Sequence, residues 1–526
     1  DLADVGLDGA TSEGDARFFP ADRRLLPVRR SLSPRCSHSL LPASMLFSHP
    51  SFLFLLLPLV VLVHLLLPKR VRNAWVLLAS LVFYAWGEGP MVLLLLGSIG
   101  TNYVLGRRIV RAKERGASDR GLVAIAVVFN STLLVLYKYA AWLLDELRGV
   151  TGVTSIDGAI GSAADWAAIH LDLPLGISFF TFQTISFILD LRRGDARPPR
   201  NLLDFGVFVS LFPQLIAGPI VRYQDLADDV HERDVRRAAF AEGVRRFVFG
   251  LAKKVLIADV LSGPVATIFA LEPANLTVPL AWVGILAFAI QIYFDFSAYS
   301  DMAIGIGAMM GFRLPENFNY PHISRSVTEL WHRWHISLSR WFRDYLYVPM
   351  GGNRHGKLRT YFNLWFVFFF CGLWHGAAWT FVVVGVYYGT LLVIDRMGFR
   401  ALLAKAPRPF QHAFTLLVVL VGWVPFRAES VGEAWYYWSA MFGFESIGSR
   451  GHPIAMHFDG HQMSMLLLGI LFSIPIYPAL LAWRARQTRP LLRFDLVESM
   501  GVCALMALTL VGLASQSSSP FLYFHF

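Results

Sequence analysis

Histidines set in apolar surroundings are the first residues in this chain that could do chemistry. His375 stands in Gly372-Leu373-Trp374-His375-Gly376-Ala377-Ala378-Trp379, at the end of a nearly uncharged run that begins after Asn363. An imidazole titrates near neutral pH and serves well as a general base. The flanking glycines let backbone approach it closely. A lone histidine in an apolar run is more often a packed hydrogen-bonding residue, and the residues alone leave both readings open. His332 and His335, three apart in Trp331-His332-Arg333-Trp334-His335, could join His375 around a metal. No carboxylate or cysteine lies at ligand spacing near them, so no metal is expected. A further cluster, Asp295-Phe296-Ser297-Ala298-Tyr299-Ser300-Asp301, puts two acids inside an apolar stretch. Such groups are costly at membrane depth and usually face a cavity or each other. They could line a polar path, or cap and pack a broken helix.

Familiar nucleotide and nucleophile motifs fail. Gly351 to Leu358 nearly matches a P-loop, but Leu358 takes the place of the hydroxyl that would reach Mg²⁺. Gly305-Ile306-Gly307 misses the dinucleotide fingerprint by one residue. Gly307 and Gly311 read better as small residues at a helix–helix contact. No Gly-x-Ser-x-Gly elbow occurs.

The elements that must position these groups follow from composition. Of 526 residues, 55% are hydrophobic and only 16% charged, and mean hydropathy is +0.50. Soluble proteins carry about 25% charged residues. Too little charge is present to coat soluble domains, which excludes a multi-domain soluble enzyme, a coiled coil or a disordered chain. The expected fold class is an all-α polytopic integral membrane protein. Thirteen apolar stretches between 51 and 515 are candidate spans. Some are short, and 361–394 is open to reading as a re-entrant or broken pair, so 11–13 membrane segments are expected. The net charge of +10 fits basic loops on the cytoplasmic side better than nucleic-acid binding, and no nucleic acid is expected. Cys36, Cys371 and Cys503 form no paired motif.

Basic and acidic loops alternate along the first five spans. Arg107 to Arg120 and Arg192 to Arg200 read as cytoplasmic, and 145–172 as outside. In the C-terminal third, 427–461 reads as outside, with Glu429, Glu433, Glu445 and Asp459 against Arg427 and Arg450, and Arg484, Arg486, Arg489 and Arg493 read as inside. Lys253-Lys254 leaves the 222–310 region ambiguous. Residues 1–44 are polar and irregular, which predicts a start at Met45 or a disordered tail. The 311–360 segment carries eight Lys or Arg against three acids, interleaved with aromatics. It reads as an amphipathic helix lying at the cytoplasmic interface. Its basic side chains either anchor the chain to the lipid or form the mouth for an anionic ligand.

Several motifs, in order, carry a resemblance. Trp331-His332-Arg333-Trp334-His335-Ile336-Ser337-Leu338-Ser339, Trp341-Phe342-Arg343-Asp344-Tyr345-Leu346-Tyr347 and Gly351-Gly352-Asn353-Arg354 resemble the signature of the membrane-bound O-acyltransferases, in their bacterial alginate O-acetyltransferase branch. Phe212 to Ile220, Tyr293-Phe294-Asp295-Phe296-Ser297 and Gly372-Leu373-Trp374-His375-Gly376 are similar to that branch too. The likeness runs from Met45 to about residue 400, which makes 45–526 the acyltransferase domain; residues 1–44 have no counterpart.

The resemblance implies a funnel-shaped helical fold with a central tunnel. It also implies transfer of an acyl, most simply acetyl, group from a cytoplasmic thioester (acetyl-CoA or an acyl carrier protein) to a hydroxyl of an extracytoplasmic polysaccharide. The deep essential histidine would be His375 and the second His335. His375 is then the expected general base. His335 and Arg333 would orient or bind the donor, Arg340 and Arg343 would hold its anionic head, and Asp295, Tyr299, Trp374 and Asn353 would complete the substrate contacts. No bound cofactor is expected. The expected location is the bacterial inner membrane, among membrane lipid. The expected partner is a periplasmic acetyltransferase that accepts the acyl group. Teichoic-acid-type D-alanylation is the alternative within the family. A transporter or flippase without acyl chemistry is the alternative outside it.

Overall fold

The computed structural model describes residues 47–150, 152–171, 173–444, 451–486, 492–515 and 521–522. The expected start at Met45, the 1–44 segment and the loop charges at 445, 450 and 489 lie outside the described residues. Among the described residues every regular element is helical. That is what lipid demands of a chain so rich in Leu, Phe and Val, because a helix satisfies its own backbone polar groups.

Among the described residues, six helices are long and apolar enough to cross a membrane, or seven if the bent pair Gly460–Phe472 and Ile476–Ala485 counts as one span. The chain is therefore an all-α polytopic membrane protein, with fewer self-sufficient spans than the 11–13 segments expected. The difference lies in helices sheltered by others. Ile177–Arg193 has only 17 residues and carries Ser178, Thr181, Gln183, Thr184 and Ser186, yet it is buried along nearly its whole length. Three of its hydroxyls are met internally: Thr184 Oγ1 donates to Asn130 Oδ1 (2.8 Å), Thr181 Oγ1 to the Ile177 carbonyl (2.6 Å) and Ser186 Oγ to the Gln183 carbonyl (2.8 Å). A helix enclosed by protein need not be uniformly apolar.

The core is the 32-residue Val278–Met309 helix. Arg237–Ala252 packs along it, backbone against backbone. A methyl group at Gly305 would sit 2.6 Å from the Gly243 carbonyl oxygen. Gly305, rather than the expected Gly307 and Gly311, makes the helix contact. Gly307 faces Leu314, and Gly311 turns the chain after the helix at φ +86°. The ambiguous lysines resolve as partners of this helix. Lys253 pairs with Asp301, which also holds Arg246, and Lys254 bridges Asp295 (2.7 Å) and Asp259 (2.8 Å).

The single amphipathic helix expected over 311–360 is instead several short pieces. They include Val327–Arg333, Ile336–Phe342 and a wide turn at Arg343–Tyr347. His335 breaks the first two apart at φ +42°. Trp334, His335, Ser337, Leu338, Trp341, Phe342 and Tyr345 are buried, so the segment folds into the protein and does not lie flat upon it. Two stretches read as loops contain helices, Thr154–His170 and Val431–Phe442. The 361–394 region is a hairpin of two helices, Gly356–His375 and Trp379–Ile394. They approach so closely at Gly372 that a methyl there would lie 2.3 Å from the Phe381 carbonyl oxygen.

Candidate active site

His375 is the last residue of its helix, and the chain leaves in an extended conformation at Gly376. The final carbonyls of a helix have no partner of their own. Here they are met from another part of the chain. Tyr139 Oη donates to Leu373 O (2.6 Å), and Lys138 Nζ donates to Trp374 O (2.7 Å) and His375 O (2.9 Å). A cation at the negative end of the helix dipole is also favourable in its own right. The His375 ring is 8% exposed and lies against Trp374 (5.1 Å between centroids) and Phe426 (5.3 Å). Its Nδ1 is buried without a hydrogen-bond partner among the described residues.

His335 is held by Asn317. Asn317 Oδ1 accepts from Ser337 Oγ (2.9 Å) and lies 3.1 Å from His335 Nδ1. An amide oxygen can only accept, so His335 Nδ1 is the protonated nitrogen and Nε2 carries the lone pair when the ring is neutral. The Asn317 backbone carbonyl takes the Ile336 N–H (2.9 Å), and Asn317 Nδ2 reaches Ser300 on the core helix (3.1 Å). This set of bonds fixes the left-handed backbone at His335. Trp374 stands between the two histidines, its ring 6.1 Å from His335.

His375 lines a small, mostly aromatic chamber with Asp295, Phe296, Trp331, Trp423 and Leu522. A second, wider cavity is lined by His332, Arg340, Arg343, Tyr347, Asn353 and Arg396. Trp331, Phe368 and Cys371 belong to the walls of both. Arg340 and Arg396 carry no ion pair among the described residues. Arg343 is held by Asp344 (2.7 Å), and Asn353 accepts from the Tyr347 hydroxyl.

The structure thus brings His375, His335, Trp374 and Asp295 together, and gathers Arg340, Arg343 and Asn353 in the second cavity. Arg333 lines neither. It bonds to Glu329 (3.0 Å) and to the Asn319 carbonyl (3.0 Å). Burial alone would raise the Glu329 carboxyl. The Arg325 N–H and the Arg333 guanidinium outweigh that and hold it below the ordinary carboxylate range. Tyr299 also lines neither cavity; it stacks on Phe47 (4.6 Å) and meets the edge of Phe521 (5.0 Å). Asp295 is committed to Lys254 and to the backbone N–H of Leu522 (2.8 Å). Sequence reasoning missed Lys138, Tyr139 and Asn317. Lys138 was detectable as a lone cation inside the apolar 121–143 stretch; Asn317 gave no signal.

The model of the membrane-bound O-acyltransferase family matches residues 196–427, which include both histidines and most of the chamber wall. The probable alginate O-acetylase AlgI of Azotobacter vinelandii is 40% identical, over 92% of this chain and 100% of that protein. Its counterpart in Pseudomonas aeruginosa is 46% identical, over 76% of this chain and 75% of that protein. The peptidoglycan O-acetyltransferase of Helicobacter pylori is 31% identical, over 92% of this chain and 98% of that protein. With helices long and apolar enough to cross a membrane, a buried histidine at the end of the Gly356–His375 helix, and likeness to these proteins over most of its length, the chain belongs to the membrane-bound O-acyltransferase family and is an O-acyltransferase.

Proposed function

We propose that this enzyme takes an acetyl group from a cytoplasmic thioester, carried by coenzyme A or an acyl carrier protein, and delivers it for O-acetylation of a polysaccharide outside the cytoplasm. One observation carries the reading. The chamber holding His375 shares a wall with a cavity that presents Arg340 and Arg396. On this reading, the anionic head of the donor rests in the basic cavity while its acyl end passes between Trp331, Phe368 and Cys371, along a tunnel. The relatives named as alginate and peptidoglycan O-acetylating proteins support a surface polymer as the final acceptor. A periplasmic acetyltransferase that takes over the acyl group, and a place in the inner membrane, fit the same reading.

The chemistry asks little of the protein. A thioester is already activated, so the task is to deprotonate an acceptor hydroxyl and to stabilise the developing oxyanion. His375 removes the proton as the acceptor oxygen attacks the carbonyl carbon. The tetrahedral intermediate then expels the thiolate, which takes that proton. His335, with its Nδ1 proton held on Asn317, presents an Nε2 lone pair to the site and orients the donor. The test is His375→Ala. Loss of a general base costs about 10² to 10⁴ in rate. Alkali-labile acetate on the surface polymer should therefore nearly vanish, with expression and melting behaviour preserved. A variant that keeps a tenth or more of the wild-type rate would make His375 structural and return the transporter reading to first place.

A further inference from the structure

Trp331 and Trp423 both line the chamber with His375. The N–H of each indole is buried, and neither has a hydrogen-bond partner among the described residues. Folded proteins rarely leave buried donors unpaired, because each then bears its desolvation cost without return. Neighbouring indoles in this fold show the usual solution. Trp341 donates to the Phe182 carbonyl (2.9 Å), Trp438 to Val421 (3.0 Å) and Trp282 to Met441 (2.9 Å). Trp331 and Trp423, at the chamber wall, depart from that pattern.

Both rings are held in place by aromatic neighbours. Trp331 meets Phe368 and Tyr388 edge to face, at 4.9 and 5.0 Å. Trp423 is wedged between Trp334 (4.9 Å) and Phe426 (5.1 Å), and Phe426 touches the His375 ring. Donors fixed before the reaction starts need no reorganisation when charge appears, which is the physical basis of an oxyanion hole. An indole N–H suits the task. It donates only, stays neutral and cannot compete with His375 for a proton.

We propose that the indole N–H groups of Trp331 and Trp423 are oxyanion donors of the acyl transfer. They receive the carbonyl oxygen of the thioester. When the acceptor oxygen bonds to the carbonyl carbon and its proton passes to His375, the carbonyl π pair moves onto that oxygen, and the two N–H groups hold the charge. On collapse the pair returns, the carbon–sulfur bond breaks, and the thiolate takes the proton from His375. The proposal rests on the acyl-transfer reading above.

Trp331→Phe, Trp423→Phe and the double variant keep an aromatic ring and delete the donor. They are made in the full chain, in membranes of its own host, and compared with wild type and His375→Ala by the initial rate at which alkali-labile acetate appears on the surface polymer. Loss of one oxyanion donor costs about 10² to 10³ in turnover. Each single variant should fall by about that factor, with its melting temperature unchanged or raised, since an unmet buried donor has gone. Rates within threefold of wild type in both single variants, beside an inactive His375→Ala, would overturn the oxyanion assignment alone. Rate losses matched by a falling melting temperature would make the rings structural and overturn it as well. An active His375→Ala would instead remove the acyl-transfer reading beneath it. Should the Phe variants fail to fold, ¹⁵N-indole resonances of wild-type protein replace them. The Trp331 and Trp423 signals should shift with S-acetylpantetheine and not with pantetheine, and unmoved signals overturn the proposal.

Discussion

Lys138 holds the end of the helix that carries His375. Its ammonium is shared between the Trp374 and His375 carbonyls, and Tyr139 holds the Leu373 carbonyl beside it. Lys138→Met deletes both donors and leaves buried acceptors unmet, a change of about 1–3 kcal/mol. The expected result is a lower melting temperature and a turnover loss larger than any change in KM, with Lys138→Arg recovering most of both. A Met variant with wild-type turnover would show that the helix end holds itself. His375 and His335 stood out as candidates in the sequence because each sits in a recognisable run. Lys138 and His375 lie 237 positions apart, so their contact was invisible along the chain. The same holds for Asn317, whose amide type says nothing of the backbone it fixes at His335.

Helix packing explains both where the reading from sequence worked and where it slipped. Apolar runs located the helices that, among the described residues, are long and apolar enough to cross a membrane. The 311–360 segment misled because alternating aromatic and basic residues suit a surface helix, whereas a positive φ at His335 leaves no compositional trace. Gly305 was passed over in favour of Gly307 because a glycine spacing does not say which face meets a neighbour. The helix contact is tested by Gly305→Ala. A methyl there collides with the Gly243 carbonyl oxygen and the Phe247 backbone, neither of which can rotate away. Overpacking of this kind costs about 1–3 kcal/mol. Detergent-solubilised Gly305→Ala should melt well below wild type. Gly97→Ala, where nothing lies within 4 Å, should match or exceed wild type. Equal melting of the two variants would show that the core helices can separate without cost.

Across the whole molecule, the charge pattern predicts an orientation. With basic loops cytoplasmic, a cysteine at Arg115 should resist an impermeant thiol reagent applied outside, and one at Ser155 should react. Both positions are exposed, so burial cannot decide the outcome. Labelling at 115 and not at 155 would invert the protein and move the basic cavity to the wrong side for a cytoplasmic donor. Among the described residues, length and hydropathy alone single out fewer spans than the 11–13 segments expected, because a helix enclosed by protein, such as Ile177–Arg193, need not meet what lipid imposes.

The partition between the two cavities has an electrical consequence. Trp331, Phe368 and Cys371 offer a narrow wall with no ionised group, while the arginines stay behind it. On the proposed reading an uncharged acetyl group crosses and its phosphate-bearing carrier does not. Membrane voltage does work of about 2.3 kcal/mol per elementary charge for each 100 mV, and here it finds no charge to move. Transfer would draw its driving force from the thioester alone, and a cell with a collapsed membrane potential would still acetylate at the rate its donor supply allows.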